Sequence, residues 1–149
     1  MSEFFHLLPQ FIGNHPLLGL GFIAVLGALI YFEIGLLTRG YKALTPAGLT
    51  LLINRENAMV FDVASIADYE KGHVPGARHV AMSQFDPESK ELAKVREMPV
   101  AVVCKNGQTS GQAAKRLVKA GFTRVHTLDG GIGAWIEAQM PLAKGNKPS

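Results

Sequence analysis

Between Phe4 and Phe32 the chain carries no Asp, Glu, Lys or Arg, and from Leu17 it runs LLGLGFIAVLGALIYFEIGLL. No other feature limits the fold as strongly. A helix rises about 1.5 Å per residue, so roughly 20 residues cross the hydrocarbon core of a bilayer. The 21 residues of this run suffice. A long helix packed on a soluble core would show a polar stripe, and residues 17–32 have none. A cleaved signal peptide would need a basic start, a shorter apolar run and a small-residue cleavage site, all missing here. The run is therefore expected to be a membrane-spanning helix over residues 17–38, after a short N-terminal segment, 1–16. Glu33, the one charge inside it, lies near the C-terminal end, within reach of the headgroup region. Arg39 and Lys42 follow the span, whereas the sixteen residues before it hold neither Lys nor Arg. The positive-inside rule then places the C-terminal side in the cytoplasm, giving a single-pass protein of the inner (plasma) membrane with lipid around its span.

After the span the text turns mixed, and a soluble domain is expected over residues 43–144, with 145–149 a disordered tail. About 100 residues make one domain. LTPAGLTLLINRE offers Thr45 as an N-cap and Pro46 as the first helical residue. AMVFDV, PVAVVC and RVHTL are short apolar runs suited to strands buried on both faces. Between the last two, SGQAAKRLVKAGF places Ala113, Ala114, Leu117 and Val118 on one stripe, with Gly121 as the stop. Strand, helix, strand implies a parallel crossover, and the expected fold is α/β with a central parallel sheet flanked by helices. GGIGAWIEAQ closes the domain as a last helix opened by glycines.

Cys104 is the only cysteine of the 149 residues, which rules out an intramolecular disulfide framework and a cysteine-rich metal site. An unpaired thiol suits a reducing compartment. The net charge of +3 comes from dispersed lysines and arginines, which argues against a nucleic-acid partner. Taken alone, a cysteine ending a buried strand is more often a small core hydrophobe than a nucleophile. Here the strand PVAVVC runs into a polar, glycine-containing stretch, Lys105, Asn106, Gly107, Gln108 and Thr109, and a helix is expected from Ser110. Ligands of parallel α/β sheets bind beyond strand carboxyl ends, near helix N-termini. In such a loop, backbone N–H groups and the helix dipole stabilise a thiolate or bound anion, and Lys105 adds a positive charge. The expectation is that Cys104 is presented as a nucleophile rather than buried.

Two stretches resemble the rhodanese family. VFDVASIADYEKGHVPGARHV is similar to its N-terminal signature, and VVCKNGQTSGQAAKRLVKAGFTRVHTLDGGIGAW to its active-site loop and the elements that follow. The resemblance implies a rhodanese-like fold and sulfur transfer, in which Cys104 takes sulfane sulfur from a donor, becomes a persulfide, and passes it to a thiophilic acceptor. It implies no metal and no organic cofactor. Residues 105–110 would hold the substrate through backbone amides, with Asp62 supporting the loop. The six-residue loop length, 104–109, resembles sulfurtransferases rather than the related phosphatases.

The family loop commonly carries arginine where this chain has Lys105 and Thr109, and arginine again where it has Ala64. Neither Lys nor Thr reproduces the bidentate fork that binds an oxyanion, so thiosulfate is expected to be a poor donor and a persulfide protein a better one. The alternative is a low-activity or non-catalytic module that docks a membrane protein partner. His73 is expected to brace the turn at Pro75 and Gly76, Trp135 to pack the last helix, and His79 and His126 to bind no metal.

Overall fold

The structure, a computed structural model, describes residues 9–10 and 13–147. Most of the expected N-terminal segment, and residues 148–149 of the expected tail, lie outside that range. The chain divides into two compact units, residues 1–39 and 40–149.

In the first unit, Pro16 opens helix α1 (Pro16–Leu37), at the position where a missing N–H costs nothing. The backbone N–H and hydroxyl of Thr38 close it on the Ile34 carbonyl, at 3.0 and 2.9 Å. The helix has 22 residues and a mean hydropathy of 2.2, and it is long and apolar enough to cross a membrane. Its large apolar side chains are exposed around the whole circumference. No face is set apart for packing on a protein core.

The second unit holds a five-stranded parallel sheet in the order β1–β5–β4–β2–β3. Its strands are β1 (Tyr41–Leu44), β2 (Met59–Asp62), β3 (Arg78–His79), β4 (Val100–Val103) and β5 (Val125–Leu128). Helix α2 (Pro46–Glu56) follows β1, with the Thr45 hydroxyl accepting from the Gly48 N–H at 3.1 Å. Short helices α3 (Ile66–Lys71) and α4 (Lys90–Ala93) follow β2 and β3, and α5 (Gln108–Lys119) joins β4 to β5. Helix α6 (Gly131–Glu137) comes last.

β4 sits in the middle, and all four of its residues are fully buried, as a continuous apolar run between two helical layers must be. Phe61, Val100, Val102, Leu117 and Phe122 pack on the face covered by α5. Leu49, Val60, Ala101, Val103 and Trp135 pack on the face covered by α2 and α6. The expected glycine stop of α5 is present, because Gly121 takes φ +92°. Its N–H returns to the Val118 carbonyl and that of Phe122 to Leu117, both at 3.1 Å, satisfying the helix's last carbonyls.

Two elements differ from expectation. β1 begins at Tyr41, ahead of the expected boundary at 43, because the short mixed text YKAL pairs with β5 rather than serving as linker. Helix α5 begins at Gln108 rather than Ser110. There Gly107 turns the chain at φ +88°, and Asn106 Oδ1 accepts from the Gln108 N–H at 3.2 Å.

Candidate active site at the end of strand β4

Cys104 continues β4 by one residue, and its side chain, 2% exposed, packs in the core layer under α5. The thiol is therefore buried, contrary to the expectation that it is presented. The reason is that the next three residues fold back over it. The Gly107 N–H donates to Sγ at 3.0 Å, and Sγ lies 3.4 Å from Ser110 Oγ. The Ser110 hydroxyl donates onward to the Gly107 carbonyl at 3.0 Å. The Asn106 Oδ1 lies 4.0 Å from the sulfur. Only a residue free to adopt φ +88° can turn an amide back onto Sγ at that point, which is the physical demand on Gly107.

The other expected site residues fall into two groups. Gln108 and Thr109 belong to the first turn of α5, exposed and half-buried respectively, and Ser110 is fully buried. The Lys105 side chain, 73% exposed, turns away to Asp68 Oδ1 on α3 at 3.5 Å. Lys71 leans on the same oxygen at 3.8 Å. Asp68 is held below the usual carboxylate range first by the Ser65 hydroxyl, which donates to Oδ2 at 2.8 Å, and then by Lys105. The loop's lysine thus shares one carboxylate with Lys71 on the α3 side. Nothing in the local spacing announces this pair, since 37 positions separate its members.

Asp62 ends β2 beside Val103 and is 1% exposed. Its Oδ1 accepts from the Ala64 N–H at 2.8 Å, while Oδ2 has no hydrogen-bond partner. Burial raises its pKa, opposed by the Ala64 N–H and by the nearby His79 and His73. His73, expected to brace the turn at Pro75 and Gly76, packs instead against Tyr69, whose hydroxyl donates to the Ala77 carbonyl just past that turn at 2.7 Å. It is fully buried, stacks on Tyr69 at 3.7 Å, and its Nδ1 lies 2.8 Å from the Tyr69 carbonyl. Trp135 is buried with its indole N–H on the Pro141 carbonyl at 2.8 Å. Asp62 also lines an open cleft of about 500 Å³ that continues past Asp68, Lys105 and Asn106 to an apolar wall of Ile132, Ile136 and Leu142.

The loop is held from behind by the start of α6. The Ile132 N–H donates to the Cys104 carbonyl at 3.0 Å and the Gly133 N–H to the Lys105 carbonyl at 3.3 Å. Both carbonyls therefore point away from the sulfur. Gly130 and Gly131 take φ +73° and +63°, and a Cβ on Gly131 would come within 2.7 Å of the Lys105 carbonyl carbon and oxygen and closer still to the Cys104 oxygen. The glycine pair is visible in the sequence, but its contact with the cysteine loop is not.

This fold and loop match known proteins. Residues 45–138 match the Rhodanese-like domain family, and the chain belongs to it. It is 36% identical over 137 residues to the uncharacterized protein YibN of Escherichia coli K12, covering 91% of this chain and 96% of that one. It is 32% identical over 98 residues to the thiosulfate sulfurtransferase GlpE of Pseudoalteromonas translucida, covering 66% of this chain and 91% of that enzyme. Among solved structures, a rhodanese-related protein from Thermoplasma volcanium superposes with a TM-score of 0.61 at 25% identity, over 70% of this chain and all (100%) of that one. The family and these relatives support a sulfurtransferase-type function.

Two outcomes follow from this geometry. Gly131→Ala should cut sulfur transfer by about tenfold or more, because the loop must move off the Cβ. Gly121→Ala, strained alike in backbone but open in space, should cost about 1 kcal/mol of stability and leave transfer intact. Melting curves and turnover, measured side by side, separate the two; equal turnover losses would refute the docking role.

The second concerns Asp62. Its folded-state pKa is raised, so its contribution to stability is complete at low pH and is lost as pH rises through the raised value. The melting temperature of the native chain should therefore fall relative to Asp62→Asn as pH rises above the ordinary carboxylate range. A flat difference would show that this carboxyl does not titrate there.

Proposed function

We propose that the chain is a membrane-anchored sulfurtransferase that carries sulfane sulfur as a persulfide on Cys104. The observation that carries this reading is the Gly107 N–H donating to Sγ at 3.0 Å at the carboxyl end of the central strand. A fixed backbone donor stabilises negative charge on sulfur, and it does so without reorganising during the reaction. In the forward step the Cys104 thiolate attacks the sulfane sulfur of a donor. The donor's bond to that sulfur breaks, and the electron pair leaves with the donor as sulfite or as a thiolate. The protein is left with Sγ bonded to one outer sulfur.

Residues 105–110 are the proposed cradle for this group, with Asp62 beside it. The cradle needs no metal or organic cofactor, since its donors belong to the chain. With Lys105 drawn to Asp68 and Thr109 where the family often has arginine, a small persulfide suits the loop better than a thiosulfate dianion. A persulfide protein or another organic sulfur donor is the proposed partner.

Incubation with a polysulfide or persulfide donor should add the mass of one sulfur atom to the intact protein, and Cys104→Ser should add none. Absence of the adduct with every donor would leave the other reading, a non-catalytic rhodanese-fold module that docks a membrane protein. The pairing of Lys105 with Asp68 is what favours that second reading.

The proposed location is the inner membrane, spanned once by α1, with the rhodanese domain in the cytoplasm. The support is the apolarity of residues 17–37 and the cations at Arg39 and Lys42. Removing residues 1–39 should release the domain from the membrane pellet to the supernatant. A protease added outside intact spheroplasts should leave the domain uncut; cleavage there would reverse the orientation.

A further inference from the structure

The lysines and arginines are spread along the chain, but the acids are not. Between Glu33 and Glu56, and again between Glu97 and Asp129, the sequence has no Asp or Glu. The first stretch carries three lysines and arginines and the second five. The fold lays these stretches side by side. β1 pairs with β5 from Tyr41 on Val125 to Leu44 on Leu128. A Cβ on Gly111 of α5 would meet the Tyr41 hydroxyl at 3.2 Å, and one on Gly40 would meet the Val118 side chain of α5 at 2.7 Å. Lys115 stands one turn from both Gly111 and Val118, so it falls on the stripe of α5 that borders β1, and Lys119 follows by another turn. Lys42 extends from β1 itself, and all three lysines are exposed. Among the described residues the ion pairs engage Lys71, Arg96, Lys105 and Arg124, and none engages Lys42, Lys115 or Lys119. The flanking acids do not neutralise this surface: Glu56 holds Arg124, and Asp129 lies beyond the far end of β5, its N–H on the Leu44 carbonyl at 2.9 Å.

We infer that the surface formed by Lys42, Lys115 and Lys119 docks on anionic lipid headgroups of the leaflet from which α1 emerges. This rests on the reading of α1 as a membrane span and adds how the domain meets the bilayer. Only Thr38 and Arg39 separate Leu37 from Gly40, and three peptide steps reach about 11 Å at most, comparable to the Debye length of about 8 Å at physiological salt. Each Lys or Arg near an anionic surface favours contact by about fivefold, and the tether makes each gain intramolecular, so a few cations suffice. A protein partner would look for apolar anchors. The exposed large apolar side chains of the second unit are Leu51, Ile66 and Ile136, and none of them lies on β1 or α5. α5 runs back from the Cys104 loop toward the strand starts, which puts Lys115 and Lys119 in its distal half. Docking there turns the Cys104 loop away from the lipid, toward soluble partners.

The test uses the full chain in nanodiscs of phosphatidylcholine alone or with about a third phosphatidylglycerol, with brief amine acetylation read at each lysine by mass spectrometry. Labelling of Lys42, Lys115 and Lys119 should slow about threefold or more in the anionic discs, while Lys90 and Lys94 on α4 stay unchanged, and about 1 M salt should abolish the difference. Replacing both α5 lysines, Lys115→Gln with Lys119→Gln, should restore fast labelling of Lys42 and leave persulfide loading of Cys104 as it was. Equal labelling in the two kinds of disc would overturn the docking and leave the anchor standing. If instead the full chain fails to float with phosphatidylcholine vesicles, the anchor falls, and salt-sensitive flotation with phosphatidylglycerol vesicles, lost in the double variant, still supports the surface. Protection of these lysines in native inner-membrane vesicles but not in anionic discs would assign the surface to a membrane protein and overturn the lipid.

Discussion

The hydrogen bond from the Ile132 N–H to the Cys104 carbonyl, 3.0 Å long, ties the last helix to the end of the central strand, and much of the domain is arranged around it. It turns the Cys104 carbonyl outward, which leaves the following peptides free to present N–H groups inward. It also requires the helix to start in contact with loop backbone, hence a residue without Cβ at position 131. Trp135, one turn further on, is anchored in the core and by its indole N–H to Pro141, so α6 has a fixed seat from which to hold the loop. The loop's shape is thus set by a contact 28 residues away in sequence as much as by its own glycine.

Burial of the thiol follows from the same arrangement. Four residues, Cys104, Lys105, Asn106 and Gly107, close the gap between β4 and α5, and a connection that short must pass directly over the strand end. Cys104 then belongs to the core layer that also holds Val63, Val102 and Ala113, and its sulfur meets one backbone amide and one buried hydroxyl. A nucleophile placed in that way has few rotamers and little water around it, so its interactions with fixed dipoles are strong. In the proposed cycle the outer sulfur of a persulfide, one bond further out, is the part that meets a partner.

How much of this could be read from the sequence depends on the range of each interaction. The strands at AMVFDV, PVAVVC and RVHTL, the Thr45 cap and the Gly121 stop are written in local patterns of a few residues, and the structure has them there. β1 was not legible, because YKAL is too short and mixed to signal a strand until β5 lies beside it. The start of α5 moved by two residues because the Asn106 side chain caps Gln108, a turn that a hydrophobic stripe does not encode. The burial of Cys104, the pairing of Lys105 with Asp68 and the seat of Gly131 on the loop are all contacts between distant segments. No spacing rule within one stretch contains them.

The charges around the loop then bear on what it suits. A bidentate arginine fork binds an oxyanion by matching two oxygens at once, and this chain has Lys105, Thr109 and Ala64 where such forks are common in the family. Lys105 does not make up the difference, since Asp68 holds it 3.5 Å away on the α3 side. Asp68 in turn is kept ionised by the Ser65 hydroxyl and by its lysines, so it offers a charge to both Lys71 and Lys105 through the neutral range. What remains for an anion is the backbone, whose donors are few, directional and sized for a single charged atom. In the proposed cycle, a monoanionic sulfur on Sγ meets that description better than a three-oxygen dianion.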